Sequence, residues 1–190
     1  MAKADTEYFE AALGKAHIYL EYGMGGSTRA ALEAGLEVIS VESDKRYCRA
    51  VAAQLGYSGR ATLIHADIGI VVRAGRPLNT LRTTKNTRRW AKYVTAPWDA
   101  AAEARRIPDL VLIDGRFRVA CGAYSLMQLR DHPETQVLVH DYAMRPSYGA
   151  LEAICRAEMV SPQFARLRLG DNFSAARAAA IFDAFILQAL

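Results

Sequence analysis

The chain has 190 residues, 52% of them hydrophobic and 23% charged, which excludes a disordered or fibrous protein and leaves room for one α/β domain spanning residues 1–190. Its formal charge of +4 comes from one place: between Ile68 and Trp98 there is no acid, while Arg73, Arg76, Arg82, Lys85, Arg88, Arg89 and Lys92 all fall there. Elsewhere acids outnumber bases, so nucleic acid is not an expected partner.

A leading helix is expected over 6–15. After it, β-rich runs alternate with amphipathic segments, with strands predicted at 17–22, 37–42, 61–65, 109–114 and 136–141 and helices at 28–34, 44–55, 118–130 and 147–159, plus a shorter one at 99–106. Gly35 stops the first crossover helix, Gly56 and Gly59 the second, and Pro108 and Pro133 precede the fourth and fifth strands. This alternation predicts a doubly wound, mainly parallel sheet with helices on both faces. Residues 69–98 break the rhythm. Gly75, Pro77, Asn79, Asn86 and Pro97 argue there against one continuous helix and for a mobile, basic, lid-like insertion anchored by Trp90, Tyr93 and Trp98. Residues 164–169 are a candidate antiparallel strand, and the alanine-rich 175–190 a strand, a helix or both.

Cys48, Cys121 and Cys155 are widely spaced and read as buried thiols rather than ligands or a disulfide framework. The amino terminus carries no signal-like apolar run, and no stretch reaches the roughly 20 apolar residues of a membrane span. The expectation is a cytoplasmic protein without a membrane partner.

The chemistry gathers where the predicted strands end. Residues 17–28 run from an apolar strand into Gly23-Met24-Gly25-Gly26, with Ser27 or Thr28 placed to cap the following helix. That is the strand–turn–helix layout of a nucleotide site, in which glycines let backbone approach a ligand closely. Thr28 stands where a pyrophosphate fingerprint has its third glycine. Glu21, two residues before the turn, suits a cation such as the amino group of an amino-acid-bearing cofactor. Glu42, 19 residues beyond Gly23 and followed by Ser43, can accept two ribose hydroxyls at once. Every predicted parallel strand ends in or beside an acid: Glu21, Glu42, Asp67, Asp114 and Asp141.

The pattern Glu21-x-Gly23-x-Gly25-Gly26 resembles motif I of class I S-adenosylmethionine (SAM) dependent methyltransferases, and residues 109–115, ending in Asp114-Gly115, resemble their motif IV. The resemblance implies a Rossmann-like fold and SAM as cofactor, held by Glu21, Tyr22, Gly23, Gly25, Gly26, Ser27, Glu42, Ser43 and Asp114, with Asp67 and Ile68 serving the adenine. In catechol-type relatives two aspartates and an asparagine hold magnesium. Asp114 and Asp141 match the aspartates, but Tyr142 replaces the asparagine, and a neutral phenol is a poor ligand for a hard cation, so no metal is expected. Asp114, His140 and Asp141 are then the catalytic candidates, His140 as general base because its ordinary pKa lies near neutrality. Arg116, Arg118, Tyr142, Arg145 and Tyr148 on adjoining loops are candidates for binding a small, anionic methyl acceptor at oxygen or nitrogen. Two rival readings are an NAD(P)-dependent oxidoreductase and a non-catalytic nucleotide-binding module with a basic arm for RNA or another acidic partner.

Overall fold

The computed structural model describes residues 3–56, 59–72 and 76–188. Helix α1 (Lys3–Leu13) leads into β1 (Ile18–Tyr22), α2 (Gly26–Glu33), β2 (Glu37–Glu42), α3 (Lys45–Leu55) and β3 (Ala61–His65). Two short strands, β4 (Val71–Val72) and β5 (Arg76–Pro77), pair antiparallel before α4 (Thr84–Glu103), β6 (Leu110–Ile113), α5 (Arg118–Gln128) and β7 (Gln136–His140). A 3-10 turn over Pro146–Ala153 then leads to β8 (Cys155–Met159), β9 (Phe164–Leu169) and α6 (Ala175–Ile186).

Seven strands form one sheet in the order β3-β2-β1-β6-β7-β9-β8. The first five run parallel, and β9 and β8 close the edge antiparallel. Strand order reverses between β1 and β6, so the crevice beyond their carboxyl ends is where an open α/β sheet binds a ligand. Alternate strand residues serve opposite faces. Leu20, Tyr22, Val111 and Ile113 pack with Trp90, Tyr93 and Trp98 of α4, while Tyr19, Val38, Leu110 and Leu112 pack with Phe9 of α1 and Leu32 of α2. The expected mainly parallel sheet with helices on both faces is the observed fold. Cys48, Cys121 and Cys155 are buried free thiols, as expected.

Three expectations give way. Residues 84–98 are not a loop but most of α4, which also absorbs the short helix expected at 99–106. The apolar residues Trp90, Tyr93, Val94, Trp98 and Ala101 recur at helical spacing and are all buried, and this packing outweighs the break that Pro97 would impose. Thr83 caps the helix by accepting the Asn86 amide. The loop-like insertion therefore shrinks to residues 69–83, of which Arg73 and Gly75 lie outside the described residues. The helix expected over 147–159 is a 3-10 turn followed by an edge strand, in which burial alternates from buried Cys155 to exposed Arg156 and half-buried Ala157. Helix α2 begins at Gly26, earlier than expected, because Thr28 does not act as its cap: the threonine hydroxyl reaches back to accept the Gly25 amide.

Candidate functional site

At the switch point the β1 and β6 turns touch through bare backbone. Gly23 has φ +95°, and a Cβ there would lie 2.9 Å from the Gly115 nitrogen; a Cβ on Gly115 would meet the Tyr93 hydroxyl at 2.1 Å and the Gly23 nitrogen at 2.9 Å. Only glycine fits either position. Above this contact opens a cleft of about 360 Å³ lined by Gly23, Met24, Glu42, Ser43, Asp44, Tyr47, Tyr93, Asp114, Gly115 and Arg116. A hollow carrying His65, Asp67, Gly69 and Ile70 continues from it through Ser43 and Asp44.

Of the residues predicted for a cofactor, Gly23, Glu42, Ser43 and Asp114 line the cleft and Asp67 the adjoining hollow. The Oε1 atom of Glu42 accepts the amides of Ser43 (2.6 Å) and Asp44 (2.8 Å), which fixes the carboxylate at the cleft wall and leaves Oε2 without a protein donor among the described residues. Asp67 accepts the Gly69 amide and pairs with Arg89 at 3.1 Å. Ile68 is buried, its carbonyl accepting the Trp90 indole. Gly25 lies under the Tyr47 hydroxyl, and Gly26 opens α2.

Glu21 and Tyr22 are elsewhere. Glu21 is fully buried beneath the turn, where its carboxylate accepts the hydroxyls of Tyr19 (2.8 Å), Ser27 (2.6 Å), Ser40 (2.7 Å) and Thr28. Burial raises its pKa, and the four hydroxyl bonds oppose that shift. It is therefore not on the cleft wall to meet a ligand's amino group. It ties the glycine turn to β1 and β2, and Thr28 occupies the third-glycine position because it bridges Glu21 to the Gly25 amide. Tyr22 points into the core, donating to the Val94 carbonyl and accepting from the Trp98 indole.

The second cluster joins the ends of β6 and β7. The Arg118 guanidinium contacts Asp114 Oδ1 at 2.9 Å and Asp141 Oδ2 at 3.1 Å, and also donates to the carbonyls of Asp114, Gly115 and His140. Its side chain is only 9% exposed, so it is a crosslink and not an open substrate contact. His140 Nδ1 lies 3.1 Å from Asp114 and 3.3 Å from Asp141, and its Nε2 lies 3.0 Å from the Gln163 side-chain oxygen. The Asp114 carboxylate, foremost, raises the imidazole pKa against the effect of burial. Despite its closeness to both carboxylates Nδ1 makes no hydrogen bond, and with its side chain only 14% exposed and its charged form favoured, His140 is not the open general base expected; Asp114, half exposed, is the member of the cluster that lies on the cleft wall.

Arg116 lines the cleft, and Arg145 stands 3.9 Å from Asp141. Tyr142 and Tyr148 turn inward against each other, the one Tyr142 hydroxyl proton shared between the Tyr148 carbonyl and the Glu152 carboxylate. Neither is an open substrate contact. Sequence reasoning missed Tyr47, Tyr93 and Gln163. Tyr47, three residues beyond the Asp44 helix cap, had a readable position next to Glu42. Tyr93 and Gln163 had none: one reaches the site from α4, and the other is held by buried Asp5, which accepts the Gln163 amide and the Ser161 hydroxyl.

The sheet order, the switch-point cleft and the strand-end acids together define a Rossmann-like methyltransferase fold. No protein-family model matches the chain, and no curated protein matches it. Among solved structures it is similar to a methyltransferase-like protein from Silicibacter pomeroyi, with 27% sequence identity and a TM-score of 0.79 over 98% of this chain and 95% of that one.

Proposed function

We propose that this protein is a SAM-dependent methyltransferase acting on a small anionic acceptor. The observation that carries the reading is the cleft itself: a glycine-on-glycine floor that any Cβ would fill, a fixed carboxylate at Glu42 on one wall, and Asp114 at the other. These residues fit the cofactor. Glu42 would hold the ribose hydroxyls through its spare oxygen, Asp67 the adenine amino group, and the amides opening α2 the remaining polar end. When bound, SAM supplies an electrophilic methyl group; the chain aligns the acceptor and removes its proton, and alignment is the larger contribution.

Asp114 would receive that proton, held in place by Arg118 and His140. Around the acceptor end, Arg116, Arg118, Arg145 and an imidazole favoured in its charged form outweigh Asp114 and Asp141, which supports a negatively charged acceptor. A divalent metal is not needed for this chemistry. The two matching aspartates already share the Arg118 guanidinium, and Tyr142, in the asparagine position, faces away.

Calorimetry with S-adenosylhomocysteine and NAD tests the reading. S-adenosylhomocysteine should bind, and Glu42→Ala should weaken it by about 1–3 kcal/mol, the value of a charge-assisted acceptor. Binding of NAD with no response to S-adenosylhomocysteine would establish the oxidoreductase alternative instead. Methyl transfer, once an acceptor is found, should survive EDTA.

A further inference from the structure

Eight large apolar side chains are exposed among the described residues, and seven sit at the cleft-bearing end of the sheet. Tyr47 opens the helix after β2; Ile70, Val72, Leu78 and Leu81 follow β3; Met144 follows β7. Met159 reaches the same level because it pairs with Ala165, the neighbour of the Phe164 that pairs with His140. Ile107, before β6, is the exception. Exposures of 73% at Ile70, 62% at Leu78 and 67% at Leu81 exceed what scattered surface leucines require, and two of the three are joined, the Leu78 amide donating to the Ile70 carbonyl at 2.7 Å.

The same end is cationic toward solvent. Lys45, Arg46, Arg82, Lys85 and Arg88 are exposed with no acidic partner among the described residues. Three acids of this end are neutralised by bases, Asp67 by Arg89 and Asp114 and Asp141 by Arg118, while Glu42 and Asp44 accept backbone amides.

We propose that this end of the molecule docks on an anionic lipid surface, aliphatic side chains entering the headgroup boundary and the surrounding lysines and arginines meeting lipid phosphates. Aliphatic residues ringed by cations are the composition such an interface selects. A polynucleotide would neutralise the cations but leave Ile70, Leu78 and Leu81 in water, and among the described residues this end exposes just the Tyr47 ring and the His65 imidazole for bases to stack on. A second copy would cover the aliphatics, but a two-fold interface centred on them would bring two cationic surrounds together with too few unpaired acids to offset them. The contact needs no spanning helix, and none of the described helices is long and apolar enough to cross a membrane. It therefore amends the expectation of no membrane partner, which considered spanning segments alone. The inference does not depend on the methyltransferase reading.

The test is co-sedimentation of the full chain with vesicles of phosphatidylcholine alone and of phosphatidylcholine mixed with phosphatidylglycerol. Binding to the mixed vesicles is expected, with about a hundredfold preference over the neutral ones, from a roughly fivefold contribution per cation for three cations at the surface. The triple variant R82S/K85S/R88S should lose most of that preference, and L78S/L81S should weaken binding to mixed vesicles at least tenfold; thermal denaturation of each variant confirms that it folds. Failure of the native chain to bind mixed vesicles overturns the proposal. So does binding indifferent to the leucine changes, which would identify a polyanion site, or self-association abolished by them without any vesicle binding, which would identify a second copy.

Discussion

Removing the Glu21 carboxylate should unsettle the fold more than the cofactor. In Glu21→Ala, the hydroxyls of Tyr19, Thr28 and Ser40 lose their acceptor in fully buried positions, while half-buried Ser27 can turn to solvent. Three orphaned buried hydroxyls cost about 1–3 kcal/mol each. Loss of a desolvated charge returns part of that cost, and neighbouring hydroxyls can satisfy one another, so a net loss of about 2–5 kcal/mol is expected. Glu21→Gln keeps the shape and one acceptor oxygen and should cost about 1–2 kcal/mol. Urea unfolding of the three proteins reads the stabilities, and an alanine variant within about 0.5 kcal/mol of the native chain would refute the argument. Calorimetry supplies the second arm. Glu21→Gln should bind S-adenosylhomocysteine within about threefold of the native chain, because the carboxylate lies beneath the cleft; a loss beyond about tenfold would mean that it meets the ligand after all.

Gly115→Ala should destabilise the chain by about 3 kcal/mol or more, since the new methyl overlaps both the Tyr93 hydroxyl and the Gly23 backbone, and adding Tyr93→Phe should not restore it; a double variant as stable as Tyr93→Phe alone would show the backbone contact to be loose. His140, its pKa raised chiefly by Asp114, contributes stability that is full below the unfolded value of about 6.5 and is lost as pH rises through the folded value. Urea stability should therefore fall as pH rises above about 6.5, and fall less in His140→Gln. Burial raises all three thiols, Cys155 to about 12, so iodoacetamide should leave the native chain unmodified while labelling it fully in urea.

The parallel half of the fold was legible because each turn announces itself: Gly35, Gly56, Pro108 and Pro133 bound runs whose β character is plain. The antiparallel edge was less so: Cys155-Arg156-Ala157-Glu158-Met159 alternates as a half-buried strand does, but the good helix formers Ala150-Leu151-Glu152-Ala153 run straight into it and hide the change of period. In α4, local signals opposed the fold. Pro97 argued for a break, and only the buried stripe of Trp90, Tyr93, Val94 and Trp98 overrode it. At the site, strand-end position placed Glu42 and Asp114 on the cleft, but position alone cannot say which way a carboxylate faces. Glu21 stands directly opposite Ser40 in the β1–β2 register and two residues from Tyr19 on the same face. Its hydroxyl partners become visible only once that pairing is known. Arg118 was misread for a similar reason: a basic residue beside acids can serve a ligand or the acids, and its near-complete burial decides for the acids.

The contact between Gly23 and Gly115 leaves the cleft little freedom to assemble itself around a guest. The glycine turn after β1 and the turn bearing Asp114 rest on each other through main-chain atoms, so neither can swing aside without opening the other. Adaptation falls to side chains at the mouth, chiefly the exposed ring of Tyr47 and the arm of Arg116. Recognition here is paid for during folding, and a ligand entering the cleft has only a few rotamers left to order.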